Sequence, residues 1–142
     1  MSQLPCSGFD EVEGYLALPR MLAKARLKRA DPTFIYFVYD ASPLDALVLS
    51  RLKLSGAQVE GWLDQGWDDS QIALEAARLV GHDRAAREAW SRKLLFTHRY
   101  LLMMLDADEG RLADGPLKAT LQVASNVIYP VMKTINRLRG LA

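Results

Sequence analysis

Three helix openings follow one another closely in the middle of this chain, and they restrict what it can fold into more than any other feature. "SPLD" at Ser42 to Asp45, "SGAQ" at Ser55 to Gln58 and "DDSQ" at Asp68 to Gln71 each place a capping oxygen first and an acid or amide three residues later. That spacing lets the first side chain accept from the backbone N–H of the third helical residue, while the returning side chain serves the cap. Pro43 adds the residue best suited to a first helical position. The openings predict short helices over about 43–53, 56–65 and 69–80, with Gly66 and Gly81 as stops.

The flanking segments carry the same period. Leu18, Leu22 and Ala25 recur by four and three and predict a helix over about 15–29, closed by Asp31-Pro32. Ala86, Trp90, Leu94, His98, Leu101 and Leu105 form a stripe on a helix over about 83–105. "DADEGRLADGP", Asp106 to Pro116, reads as a turn-rich linker. In the last helix, 117–139, Leu117, Leu121, Ala124, Ile128, Val131, Ile135 and Leu138 make a heptad seam, interrupted by Pro130, where a bend is expected. Such a seam has to bury itself against the 83–105 helix or a second chain. "TFIYFVYD" alone is rich in β-branched and aromatic residues. It has no second strand-like run to pair with, so 33–40 is read as a buried extended stretch, a short helix, or an edge that pairs with another copy.

With 50% apolar and 25% charged residues, the 142-residue chain is of ordinary globular composition. The net charge of +1 gives no overall pull towards nucleic acid or membrane. The lone Cys6 cannot form an internal disulfide, and the opening residues lack the pattern of a signal peptide. A cytoplasmic protein is expected, with no membrane partner.

Several chemistries lack their residues. The two histidines, His82 and His98, form no Glu-x-x-His pair, and no Cys/His cluster suits zinc. "DADEG" has its glycine one residue early for a calcium loop, and Gly56, Gly61 and Gly66 fit no nucleotide-binding fingerprint. No cofactor or metal is implied, and Cys6 has no base near it in sequence. Two constellations remain. In the first helix Arg20, Lys24 and Lys28 form a line, with Arg26 and Arg29 beside it. This is either a solvated helix face or a surface for an anion. No aromatic residue interleaves the line, which argues against single-stranded nucleic acid. "YDASPLD", with Tyr36 upstream, is either a helix cap among packed aromatics or an anion-binding helix start, and Asp45 would compete for the latter's donors. His98 and the three tryptophans read as core or interface residues.

Together, "LPRMLAKARLKRAD", the Tyr-rich segment leading into "SPLD", "LKLSGAQVEGWLDQGWDDSQIALEAA" and "EAWSRKLL" resemble an uncharacterised bacterial family, the domain of unknown function 5069. The likeness runs from about residue 14 to 95. Pro19, Arg20 and Lys24 match the family's first helix, and Pro43, Leu44 and Asp45 match its Cys-Pro-Leu-Asp motif, with Ser42 in place of the cysteine. The resemblance implies that Arg20 and Lys24 belong to one pattern with Asp45, as an ion pair or cap joining the first helix to the "SPLD" turn. It implies no activity.

The expectation is an all-α protein: an N-terminal tail (1–13), a domain of short helices (14–95) and a long C-terminal helical hairpin (96–142). Its expected role is that of a non-catalytic interaction module acting as a homodimer through the Leu117–Leu138 seam or the Phe34–Tyr39 edge. The alternative is a small-molecule or phosphate site, catalytic or not, formed by Arg20, Lys24, Tyr36 and Asp45. Nucleic-acid binding by the basic helix ranks last.

Overall fold

All three capped helix starts form where the sequence predicts, although Asp45 does not return its side chain to the Ser42 amide. The computed structural model describes residues 3–111 and 115–140. Ser42 Oγ accepts from Asp45 N and opens α2 (Pro43–Leu52). Ser55 and Gln58 exchange both bonds of a capping box at the start of α3 (Gly56–Asp64), and Asp68 and Gln71 do so for α4 (Asp69–Val80). These bonds fill donors that a helix start leaves open. Around them stand a hairpin of β1 (Glu11–Val12) and β2 (Tyr15–Leu16), then α1 (Leu18–Ala30), a 3-10 turn at Tyr39–Ala41, α5 (Arg84–Asp108) and α6 (Pro116–Leu138). The fold is thus mainly α, with six α-helices among the described residues.

The chain divides into two compact units, Met1–Thr97 and His98–Ala142. In the first, α1 packs on α2 and α4, with Leu18, Met21, Leu22, Val48, Leu52 and Ile72 buried on these helices and Val59 buried on α3. α1 begins at Leu18, three residues later than the pattern predicts, because Tyr15 and Leu16 pair with Val12 and Glu11 as a strand. Gly14 (φ 85°) and Ala17 (φ 69°) are left-handed on either side, which no helix accommodates. Ser91, far away in sequence, fixes this arrangement: its hydroxyl accepts from Leu16 N at 2.8 Å and donates to the Gly14 carbonyl. The described part of the segment read as a tail holds β1, and its Pro5 and Gly8 are buried.

Of the three readings of 33–40, the short helix does not form: residues 31–38 are irregular, and the segment enters the 3-10 turn at Tyr39. Phe34 is buried, and the Phe37 carbonyl is satisfied by the Lys24 side chain instead of a neighbouring strand.

α5 has one residue with non-helical angles, His98 (φ −129°, ψ 21°), where the two units meet along the chain. In the second unit, Met104 and Ala107 of α5 pack with Leu121 of α6, flanked by Leu101, Met103 and Ala124. Gln122 Nε2 donates to the Ala107 carbonyl at 3.3 Å. The linker expected at 106–116 begins later, since α5 runs to Asp108, and its residues 112–114 lie outside those described. No helix among the described residues is long and apolar enough to cross a membrane.

Candidate functional site

The basic line of α1 divides. Arg20 and Lys24 share the buried side of the helix with Leu18, Met21, Leu22 and Ala25, and are 1% and 3% exposed. Burying an ammonium without a partner costs several kcal/mol, so its surroundings decide what it does. Lys24 Nζ meets three oxygens: Asp45 Oδ1 at 2.9 Å, the Phe37 carbonyl at 3.0 Å and Ser42 Oγ at 3.2 Å. The Asp45 contact is an ion pair, while the Phe37 carbonyl and the Ser42 hydroxyl accept hydrogen bonds from the ammonium.

Asp45 is fully buried at the third position of α2. Its second oxygen, Oδ2, accepts from Tyr39 N at 2.9 Å. Burial pushes its carboxyl above the ordinary carboxylate range, while the Lys24 ammonium and the Tyr39 N–H pull it back down. Tyr39 itself is left-handed (φ 51°), an uncommon state for a bulky residue. Its amide is held by Asp45, and its hydroxyl donates to Glu60 Oε1 of α3 at 2.7 Å. Gly56, the first residue of α3, leaves room for the Tyr39 ring: a Cβ there would stand 3.0 Å from ring atom Cδ2.

Arg20 Nη1 donates to the Cys6 carbonyl at 3.0 Å, and its guanidinium lies 5.8 Å from the centre of the Tyr36 ring, which packs on Phe34. Arg20, Lys24, Tyr36 and Asp45 are thereby brought together around the entry to α2. Burial raises the Cys6 thiol pKa, which keeps it protonated and a poor nucleophile.

Arg26 and Arg29 face outward and are tied to acids. Arg26 pairs with Asp69 and donates to the Trp67 carbonyl at 3.2 Å. Arg29 grips Glu60 through Nε and Nη2 and reaches Asp64 at 2.8 Å. These pairs join the end of α1 to α3 and α4 and cancel much of the charge a polyanion would need. Lys28 is exposed. An open cleft lies beside them, between Arg26, Gly66 and Trp67, with the Trp67 indole stacked on Trp62 at 5.7 Å.

Sequence reading did not anticipate the contacts of Tyr15. Its hydroxyl shares a hydrogen bond of 2.7 Å with His82 Nδ1, and its ring meets Trp90 edge to face at 5.3 Å. Burial pushes the phenol pKa up to about 12, which keeps it protonated at neutral pH. No local motif announces a pairing between residues 15 and 82. His98 is half-buried at the break in α5. Among the described residues, no group of His, Cys, Asp and Glu could hold a metal ion.

A family model described as a domain of unknown function (DUF5069) matches residues 2–111. The match extends past both ends of the 14–95 stretch that carries the resemblance. Neither a curated protein nor a solved structure matches this chain.

Proposed function

This chain belongs to the domain of unknown function family DUF5069, and from that premise we propose that it is a non-catalytic interaction protein that works as a homodimer joined through α6. One observation carries the reading. The seam stays largely open: Leu121 is buried against α5, while Leu117, Ile128, Val131, Ile135 and Leu138 remain between 41% and 82% exposed. An apolar stripe of this length on a helix normally has a partner. The buried Lys24–Asp45 cluster supports a non-catalytic role. Its ammonium is paired with Asp45 and donates to the Phe37 carbonyl and Ser42 Oγ, as in a tie between α1 and α2.

The energetics favour a reversible association. Each of the five side chains has about 1 kcal/mol of further burial available, so a pair of chains has roughly 10 kcal/mol in total. Association costs about 4–15 kcal/mol in lost freedom and ordering. The balance corresponds to a dimer that dilution takes apart. Sedimentation velocity over a concentration series tests this. A monomer–dimer equilibrium is expected for the native chain, and Val131→Glu with Ile135→Asp should give monomers of unchanged helicity. A native chain that stays monomeric at every concentration, or a doubly substituted chain that still dimerises, would overturn the proposal.

A further inference from the structure

The turn between α3 and α4 sets an indole in a fixed position before any ligand arrives. Gly66 is left-handed (φ 76°), so the chain reverses tightly. Gly66 N donates to the Leu63 carbonyl at 3.0 Å, and Trp67 N donates to the Trp62 carbonyl at 3.2 Å. This pattern closes a helix end and brings together the side chains that flank the turn. Here both are tryptophans, with their rings 5° from parallel. The Trp67 carbonyl also accepts from Arg26.

Trp67, but not Trp62, lines the open cleft beside Arg26. The cleft has two adjoining lobes of about 610 and 460 Å³, which share Arg26, Gly66 and Trp67. Space on this scale suits a small ligand. Its walls are mixed. Trp67, Val12 and Leu63 are apolar, and the charged groups balance, Arg26 and Arg29 against Asp68 and Asp69. Both guanidiniums are already gripped by carboxylates, Arg26 by Asp69 and Arg29 by Glu60 and Asp64. An anion would have to displace those acids, and a cation would face two guanidiniums. Asp68 is exposed and has no ion-pair partner among the described residues; one of its oxygens caps α4. Such walls match a neutral molecule with one apolar face and a rim of hydroxyls, which both donate and accept.

We propose that this cleft binds a neutral saccharide, one ring laying its C–H face on the Trp67 indole and bonding its hydroxyls to Asp68 and the Arg26–Asp69 pair. The site lies within the first unit and does not depend on the dimer reading. An indole and an ion pair held in place lose little freedom on binding, and a carboxylate is a strong acceptor for a hydroxyl. The cleft is open to water, so a dissociation constant of roughly 1–10 mM is expected.

Proton–nitrogen NMR tests this, because the indole N–H groups of Trp62, Trp67 and Trp90 report separately. The full-length chain is titrated with maltose, cellobiose and N,N′-diacetylchitobiose, each to about 50 mM. At least one should move the Trp67 signal saturably and leave Trp90 in place. Sorbitol has the hydroxyls but no ring face, and should bind at least about tenfold more weakly. Asp68→Ser keeps a capping oxygen on α4, removes the carboxylate and should weaken binding about tenfold. Trp67→Leu should abolish it. No saccharide response at Trp67, equal binding of sorbitol, or an Asp68→Ser chain that binds as tightly as the native one would overturn the proposal. A Trp67 signal that moves with sodium phosphate or choline but with no saccharide would overturn it in favour of an ionic ligand.

Discussion

Removing the Asp45 carboxylate should destabilise the first unit more than any other single change in charge. The pair is separated by 2.9 Å, and its side chains are 4% and 1% exposed. At an effective dielectric of about 20, two charges at that distance attract by about 6 kcal/mol. Desolvation of the two ions costs several kcal/mol each, so the intact pair contributes little net stability. Asp45→Ala deletes the attraction but leaves the Lys24 ammonium buried with two neutral acceptors. It also removes the acceptor for Tyr39 N. A cost of about 3–5 kcal/mol is expected, a large share of the roughly 5–15 kcal/mol that holds a typical domain folded.

Urea denaturation read by tryptophan fluorescence suits the measurement, because Trp62, Trp67 and Trp90 all lie in the first unit. With a slope of about 2 kcal/mol per molar urea, the midpoint should fall by roughly 2 M. Asp45→Asn separates charge from shape: its amide oxygen still receives the Tyr39 N–H, so its loss reports the missing counter-charge. Lys24→Met with Asp45→Leu removes both ions and should recover at least about 2 kcal/mol relative to the sum of the single changes. A single-variant cost below about 1 kcal/mol, or no coupling between the two sites, would refute the account of a tightly caged ion pair.

Gly56→Ala places a methyl 3.0 Å from the Tyr39 ring and should cost about 1–3 kcal/mol in the same urea assay, although alanine normally favours a helix. Ser91→Ala strips the buried Leu16 N–H and Gly14 carbonyl of their shared partner, and a loss of roughly 2 kcal/mol is expected, with protection of the Leu16 amide from hydrogen exchange falling most. At high pH the first unit should weaken between about 10 and 12. The unfolded chain releases the Tyr15 proton near the ordinary value of 10.0, while the folded one holds it to about 12, so rising pH favours unfolding by on the order of 2 kcal/mol. Tyr39 shifts in the same direction, through burial and its bond to Glu60. Ultraviolet titration should show both phenols ionising together with unfolding; ionisation of all five tyrosines in a fold that stays intact would count against this.

What could be read in the sequence was what is local. A cap and its returning side chain are three residues apart, so Ser55–Gln58 and Asp68–Gln71 were legible, and α2, α3 and α4 end within about a residue of their expected stops. The start of α1 was not, because the pull on Leu16 and Gly14 comes from Ser91 on another element. The stripe on α5 was legible only as far as Leu94. Beyond the non-helical His98 the helical phase changes: Leu102 and Ala107 are fully buried, while Leu101 and Leu105, on the extrapolated stripe, are only half-buried. A periodic pattern assumes a constant turn per residue, and one residue off the helical angles voids it.

The basic cluster shows how residue type and spacing can agree while the roles differ. Arg20, Lys24 and Lys28 repeat every four residues and suggest one wet face. The first two lie inside, because the apolar arc of α1 is wide at its N-terminal end, with Leu18, Met21, Leu22 and Ala25 buried around them. Lys28 lies past the last buried turn and stays in water. Charge alone would make Lys24 the more costly residue to bury. Its long stem crosses the apolar arc, and its head meets Asp45, Ser42 and the Phe37 carbonyl just where the irregular 33–38 segment turns into α2. The loop carbonyl, the cap hydroxyl and the buried carboxylate thus satisfy one ammonium together. A methionine in place of Lys24 would fill the space, yet would leave Asp45 and the Phe37 carbonyl buried without their cation. A lysine inside this helix therefore follows from the loop packed against it.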